Sequence, residues 1–436
     1  MEGEKTMKRA VVLSGGGTKG AFELGVWKAL NELSIEYDIV TGTSIGSING
    51  ALMCMKDYDR CENMWKSMTM TDMMNEPLEK KEVLREIIEK PPLPGDVMSG
   101  TLLSGAVDNS PFQSFVESHI DEDAMRRSDV DYGLVTVRLR DRKPFLLTKN
   151  DIEEGQICEY IIASSSVYPV FPMHMIGDDY YIDGMYYDNL PIDLAVSMGG
   201  TELIVVDLHT EPQHPNYLGR PYVTYITPSE DLGGILEFDP ERIEKNINMG
   251  YRDAMRVFGK YEGYIYCFEK DTLKEFSASI EKFNALCAMG ESAINNNMKG
   301  RIRREKNLYH MFHLLEQFSK GKEVRKEDYF IRGAEITAEL CKLPHDRVWD
   351  MKDLVKEAGY RLVSESSYPD MKLFTSADVN LKKGIKQLKK ERGRLYLVGC
   401  MYYAYKNNKM DYGKMLSVLK LLPEELAATL FYLSVN

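Results

Sequence analysis

No stretch of this 436-residue sequence comes near the roughly 20 consecutive apolar residues that a membrane-spanning helix requires. Its first residues, Met1-Glu2-Gly3-Glu4-Lys5, lack the basic start and apolar middle of a secretory leader. Cysteine is sparse. Seven residues, an odd number with no Cys-x-x-Cys pair, fit a reducing compartment better than a disulfide framework. No cluster of His, Cys and Asp has metal-ligand spacing, so no metal and no resident cofactor is expected. Basic residues are in deficit, with 55 Lys and Arg against 67 Asp and Glu. The resulting net charge of −12 argues against a nucleic-acid partner. A soluble, cytoplasmic protein is the expectation. What is present suits one: 44% hydrophobic and 28% charged residues, in a chain long enough for two or three domains.

The informative chemistry begins at the first apolar run. Ala10-Val11-Val12-Leu13 reads as a buried strand, followed by Ser14-Gly15-Gly16-Gly17-Thr18-Lys19-Gly20 and a largely apolar helix over residues 21–33. Ile35-Glu36-Tyr37-Asp38-Ile39-Val40 reads as a second strand. It runs into Thr41-Gly42-Thr43-Ser44-Ile45-Gly46-Ser47, and then into Ile45, Ile48, Ala51 and Leu52 at helical spacing. Strand, glycine loop, helix, strand, serine turn, helix is the opening of an α/β layered fold with parallel strands. Gly42 and Gly46 flank Ser44 in the G-x-S-x-G pattern of a nucleophile elbow, in which the serine sits on a sharp turn with its hydroxyl presented. The helix that follows adds N–H groups and a positive dipole end where negative charge would develop.

The glycine loop admits several readings. Gly15, Gly17 and Gly20 satisfy the dinucleotide fingerprint G-x-G-x-x-G, but the second strand ends in Thr41, Thr43 and Ser44 rather than in the acid that would hold a ribose. No Gly-Lys-Ser/Thr follows at Walker spacing. A tight turn is one remaining reading. The other is that consecutive glycines aim N–H groups at an anion, such as the oxyanion of an attacked ester, with the charge of Lys19 nearby.

Further along, residues 53–90 look helical and irregular, with Met64, Met68, Met70, Met73 and Met74 around Trp65, either as core filler or as an adaptable acyl-binding wall. Pro91-Pro92-Leu93-Pro94-Gly95 reads as a loop, residues 112–119 as a helix, and 132–139 and 144–147 as strands. After Ala163-Ser164-Ser165-Ser166, residues 173–176 and 180–182 around Gly177-Asp178-Asp179 read as a hairpin that delivers Asp183-Gly184 at a strand end. An ordinary Asp-Gly turn is the alternative. Residues 201–208 read as another buried strand.

The glycine loop, the Gly42–Gly46 elbow and Asp183-Gly184, in this order and with Asn189-Leu190-Pro191 shortly after, resemble the patatin-like phospholipase family over about residues 8–208. Residues 232–260 also look like bacterial members. The resemblance implies a mostly parallel central sheet flanked by helices, lipid acyl-hydrolase activity, and a Ser-Asp dyad without histidine. Carried across, Ser44 is the nucleophile, Asp183 its general base and acid, and the backbone of Gly15, Gly16 and Gly17 the oxyanion hole. Lys19, Ile45 and Met185 are then expected beside the substrate. Met185 departs from the family's usual Gly or Ala, which bears on substrate shape. A free aspartate is a poor base at neutral pH, so burial has to raise its pKa. The competing readings are a Ser-Asp-His hydrolase using His209 or His214, and a catalytically silent scaffold that binds lipids or partners.

From about residue 271 the pattern turns helical: 302–318, 331–343, 348–358, 381–392, 395–405 and a start at Pro423. The division expected is a catalytic domain over residues 5–268 and an accessory helical domain over 271–436. Lys382, Lys383, Lys386, Lys389, Lys390, Arg392 and Arg394 form a basic stretch, either a solvated face or a peripheral contact with anionic headgroups. A lipid or acyl ester is the expected partner.

Overall fold

The structure is a computed structural model and describes residues 7–74, 108–168, 170–297, 311–316, 324–365, 372–376, 380–407, 409 and 415–436. The expected loop at residues 91–95, the irregular stretch beyond 74 and most of the helix expected at 302–318 lie outside these residues. The chain divides into two compact units, Met1–Val257 and Phe258–Asn436.

The first unit is built on an eight-stranded sheet: β1 (Arg9–Leu13), β2 (Ile39–Gly42), β3 (Asp131–Arg138), β4 (Lys143–Thr148), β5 (His174–Ile176), β6 (Asp179–Asp183), β7 (Glu202–Val206) and β8 (Val223–Ile226). The order is β5-β6-β3-β2-β1-β7-β8, with β4 also paired to β3. From β3 to β8 along that order all pairs are parallel, whereas the pairs β3–β6, β6–β5 and β3–β4 are antiparallel. Helices flank the sheet, among them α1 (Ala21–Glu32) and α2 (Ile45–Cys54). The strands β1 and β7 are buried along almost their whole length, which is what apolar runs such as Ala10-Val11-Val12-Leu13 and Leu203-Ile204-Val205-Val206 require when both faces are covered.

Register positions the site. Leu13 pairs with Gly42, so the loops after β1 and β2 leave side by side from the carboxyl ends of adjacent parallel strands. Gly42 also pairs with Leu134, and two residues further along β3, Thr136 pairs with Asp183. Asp183 therefore ends β6 at the height of Ser44, with β3 between them.

Among the described residues the second unit is mainly helical, with one two-residue strand pair. Helices span Ser277–Asn297, Met311–Glu316, Lys326–Leu340, Met351–Glu365, Lys372–Thr375, Leu381–Arg392, Arg394–Lys406, Met415–Leu421 and Pro423–Val435. Val348–Trp349, expected to open a helix, instead pairs in parallel with Cys267–Phe268. Trp349 is buried there in a core with Phe268, Phe283 and Phe330. No described helix is long and apolar enough to cross a membrane.

Candidate active site

Ser44 caps α2 with φ 54° and ψ −126°, a backbone conformation that a residue with a Cβ rarely adopts. The flanking glycines make the turn feasible. A Cβ on Gly42 would meet the Gly46 carbonyl oxygen at 2.1 Å, and one on Gly46 would meet the Ser14 oxygen at 2.8 Å. The elbow is held from three directions. Gly46 N–H donates to the Thr43 carbonyl at 2.9 Å, Thr43 Oγ1 donates to the Asp188 carbonyl at 2.8 Å, and Ser44 N–H donates to Ser164 Oγ at 3.0 Å.

Asp183 is fully buried. Its Oδ1 accepts the Met185 N–H at 2.8 Å, while Oδ2 has no partner among the described residues. Burial pushes its carboxyl up to about 7, against the opposing pull of the Met185 N–H and of the neighbouring Ser44 hydroxyl. The Ser44 hydroxyl is near enough to pull on that carboxyl, and no hydrogen bond between the two side chains is found among the described residues. The serine run ties the two residues together. Ser164 Oγ, which receives the Ser44 N–H, donates to the Val135 carbonyl at 2.7 Å, and the Ser166 carbonyl accepts the Asp183 N–H at 2.9 Å. The run is conspicuous in the sequence, but its bracing role depends on partners 29 and 120 residues away.

In the glycine loop, the Gly15 N–H is engaged by the Asn189 carbonyl at 3.0 Å, which removes Gly15 from the three donors expected of an oxyanion hole. The N–H groups of Gly16 and Gly17 have no partner among the described residues. Thr18 N–H donates to the Ile235 carbonyl at 2.9 Å and Thr18 Oγ1 to the Gly234 carbonyl at 2.8 Å, so chain 234–235 covers the helix entry where a pyrophosphate would sit.

Ser44 opens on an apolar pocket of ≈ 620 Å³, counting its mouth. Gly17, Ile45, Ile48, Met68 and Met73 line it, with Phe112 stacked on Phe171 at 5.6 Å. Of the residues expected beside substrate, Ile45 is in this wall, whereas Lys19 and Met185 are not. Met68 and Met73 belong to the wall, and Met64 is buried in the core. Ser165 also lines the pocket, and its buried hydroxyl has no partner among the described residues. Neither candidate histidine reaches the pair: His209 Nδ1 is 3.1 Å from Asp207, and His214 Nε2 is 3.8 Å from Asp188. Among the described residues no group of three His, Cys, Asp or Glu is placed to hold a metal.

The family model for patatin-like phospholipases matches residues 11–196, a span that contains the glycine loop, the elbow and Asp183. Patatin-like phospholipase domain-containing protein 6 of Mus musculus is 28% identical over 211 residues, covering 47% of this chain and 14% of that protein. Lysophospholipase NTE1 of Coccidioides immitis is 27% identical over 198 residues, 45% of this chain and 11% of that protein. The alignment thus spans about a seventh or less of the curated relatives' length. The crystal structure of VipD from Legionella pneumophila aligns over 97% of this chain and 91% of that chain, with 11% identity and a TM-score of 0.38.

Proposed function

Because residues 11–196 belong to the patatin-like phospholipase family, we propose that this chain is a serine-dependent hydrolase of lipid carboxylic esters, acting through Ser44 and Asp183. The observation that carries the reading is the buried Asp183 carboxyl next to the strained Ser44, with one oxygen that has no hydrogen-bond partner among the described residues. A buried polar atom without a partner is rare in folded proteins and marks a demand other than stability.

In this reading the acyl chain lies in the Met- and Phe-lined pocket, and the ester carbonyl sits over Ser44. Ionised Asp183 takes the Ser44 proton as Oγ attacks the carbonyl carbon. Negative charge gathers on the carbonyl oxygen, which the Gly16 and Gly17 N–H groups receive. Collapse expels the alcohol, protonated by Asp183, and leaves an acyl ester on Ser44. Water, deprotonated by the same carboxylate, attacks the acyl carbon, and the intermediate expels Ser44 Oγ, which takes the proton back from Asp183 as the fatty acid leaves. Loss of one oxyanion donor commonly raises such a barrier by about 3 kcal/mol.

Fatty-acid release from mixed phospholipid vesicles and from p-nitrophenyl butyrate tests the reading. Release is expected from the wild type and abolished in both Ser44→Ala and Asp183→Ala with folding intact. Activity that survives in Ser44→Ala overturns it. We also propose that the basic face of the Leu381–Arg392 helix makes peripheral contact with anionic lipid surfaces. Lys382, Lys383, Lys386 and Lys390 are exposed on it without ion-pair partners among the described residues, while Leu381 and Ile385 are buried.

A further inference from the structure

Beneath the glycine loop lies a polar network that the chemistry above does not use. It starts at Asn189, which holds Gly15 by both sides of its backbone. The Asn189 carbonyl accepts the Gly15 N–H at 3.0 Å, and Asn189 Nδ2 donates to the Gly15 carbonyl at 3.1 Å. The fit is closed, because a Cβ on Gly15 would meet Asn189 Oδ1 at 2.3 Å and Ser44 Cβ at 3.2 Å. Asn189 Nδ2 is also 3.2 Å from Gln213 Oε1 and 3.3 Å from Ser14 Oγ.

Gln213 carries the network onward. Its Nε2 donates to Ser14 Oγ at 3.1 Å and to Asp207 Oδ1 at 2.8 Å. Asp207 is fully buried and lies just after β7. It further accepts the Gln213 N–H at 2.8 Å, the His209 N–H at 3.0 Å and the Tyr225 hydroxyl at 2.7 Å. Burial opposes its charge, but the bonds from His209, Gln213 and Tyr225 outweigh burial and keep the carboxyl below its ordinary range. An ionised, multiply bonded carboxylate is a stiff anchor, since its bonds are charge-assisted.

The consequence follows from peptide geometry. The Gly15 carbonyl and the Gly16 N–H belong to one planar trans peptide and point in opposite directions. Holding the carbonyl toward Asn189 therefore directs the Gly16 N–H away from the network. Glycine on both sides of this peptide leaves little steric resistance to its rotation, so the orientation depends on outside support. We propose that Asn189, Gln213 and Asp207 form a positioning relay that keeps the Gly15–Gly16 peptide oriented with the Gly16 N–H available to a developing oxyanion. The relay rests on the ester-hydrolase reading. It assigns Gln213 and Asp207, which touch no substrate, to transition-state stabilisation rather than to substrate affinity.

Such a device acts on kcat and leaves KM in place, because the oxyanion exists only after attack. The test is steady-state hydrolysis of p-nitrophenyl butyrate by full-length wild type, Gln213→Met, Asn189→Asp and the double variant, with Ser44→Ala as reference and circular dichroism for folding. Met keeps the volume of Gln213 and removes its amide; Asp keeps the shape of Asn189 and removes its donor. Each single variant is expected to lose about tenfold to a hundredfold in kcat with KM within about twofold, up to the loss of one oxyanion donor. The double variant is expected to fall no further than the worse single, because both act through one peptide. Unchanged kcat in folded variants overturns the relay, as does a loss that appears in KM, or losses that add. If Gln213→Met fails to fold, Asn189→Asp carries the same kcat and KM outcomes. An inert Ser44→Ala beside a fully active Gln213→Met removes the relay alone; an active Ser44→Ala removes the hydrolase reading and the relay together.

Discussion

Asp183 carries the sharpest expectation at the level of one residue. Its carboxyl is raised to about 7 chiefly by burial, and only its ionised form can accept the Ser44 proton. With the proposed dyad, a neutral Asp183 below that pH cannot take the proton, so kcat/KM is expected to rise with pH through an apparent pKa near 7. A profile on p-nitrophenyl butyrate between pH 5 and 9 checks this, and a limb near the ordinary aspartate value of about 4 would remove Asp183 as the base. The need for a raised pKa is legible in the sequence, since an Asp partner to a serine must be perturbed to act. Its cause is not legible: nothing around Asp183 in the chain signals full burial. The same holds for Gln213, which meets Ser14 across 199 residues and carries no local pattern. Ser44 itself is legible because steric crowding forces glycine at Gly42 and Gly46, and crowding of that kind leaves a short motif.

Elements were readable where a period or a turn signal exists. The hairpin of β5 and β6 forms around Gly177-Asp178 as expected, and the helix Leu381–Arg392 forms over the residues expected, where the structure adds an Asn380 cap whose side chain accepts the Lys383 N–H. The second strand begins at Ile39 rather than Ile35, because Asp38 turns its carboxylate to the Arg9 N–H at 2.8 Å and Glu36 gives its carbonyl to the Arg9 guanidinium at 2.8 Å. A two-residue strand such as Val348–Trp349 has no period at all. The helix Ile157–Ser164 shows what an element can do for the site by its last residue alone. Ser164 Oγ joins the Ser44 N–H to the Val135 carbonyl, so the helix end fixes the elbow to β3. Ser164→Ala leaves a buried N–H without its acceptor and is expected to cost about 1–3 kcal/mol in urea titrations. It is also expected to lower kcat on p-nitrophenyl butyrate, since the strained elbow loses a restraint. A variant as stable and as active as wild type would show that the elbow holds itself.

Across the whole molecule, charge and cores divide the labour. The chain carries a net charge of −12, yet the Leu381–Arg392 helix presents an exposed lysine face in the second unit, while Ser44, Asp183 and the pocket all belong to the first. Each unit has apolar clusters of its own, such as Ala10, Val12, Leu203 and Val205 in one and Phe283, Phe330 and Phe431 in the other. A fragment of residues 1–257 is therefore expected to unfold in one cooperative transition and to hydrolyse p-nitrophenyl butyrate within a few-fold of the full chain. Binding to vesicles rich in phosphatidylserine should be lost in the fragment. In the full chain it should fall steeply with salt and in a variant carrying Lys382→Glu, Lys383→Glu, Lys386→Glu and Lys390→Glu. Each lysine near an anionic surface contributes about 1 kcal/mol, and a Debye length of about 10 Å at 0.1 M salt screens it. Co-sedimentation and ester hydrolysis, measured on the same preparations, separate the two roles. A folded fragment without hydrolysis would place part of the catalytic apparatus in residues 258–436. Salt-independent binding of the four-lysine variant would deny the basic face any part in lipid contact.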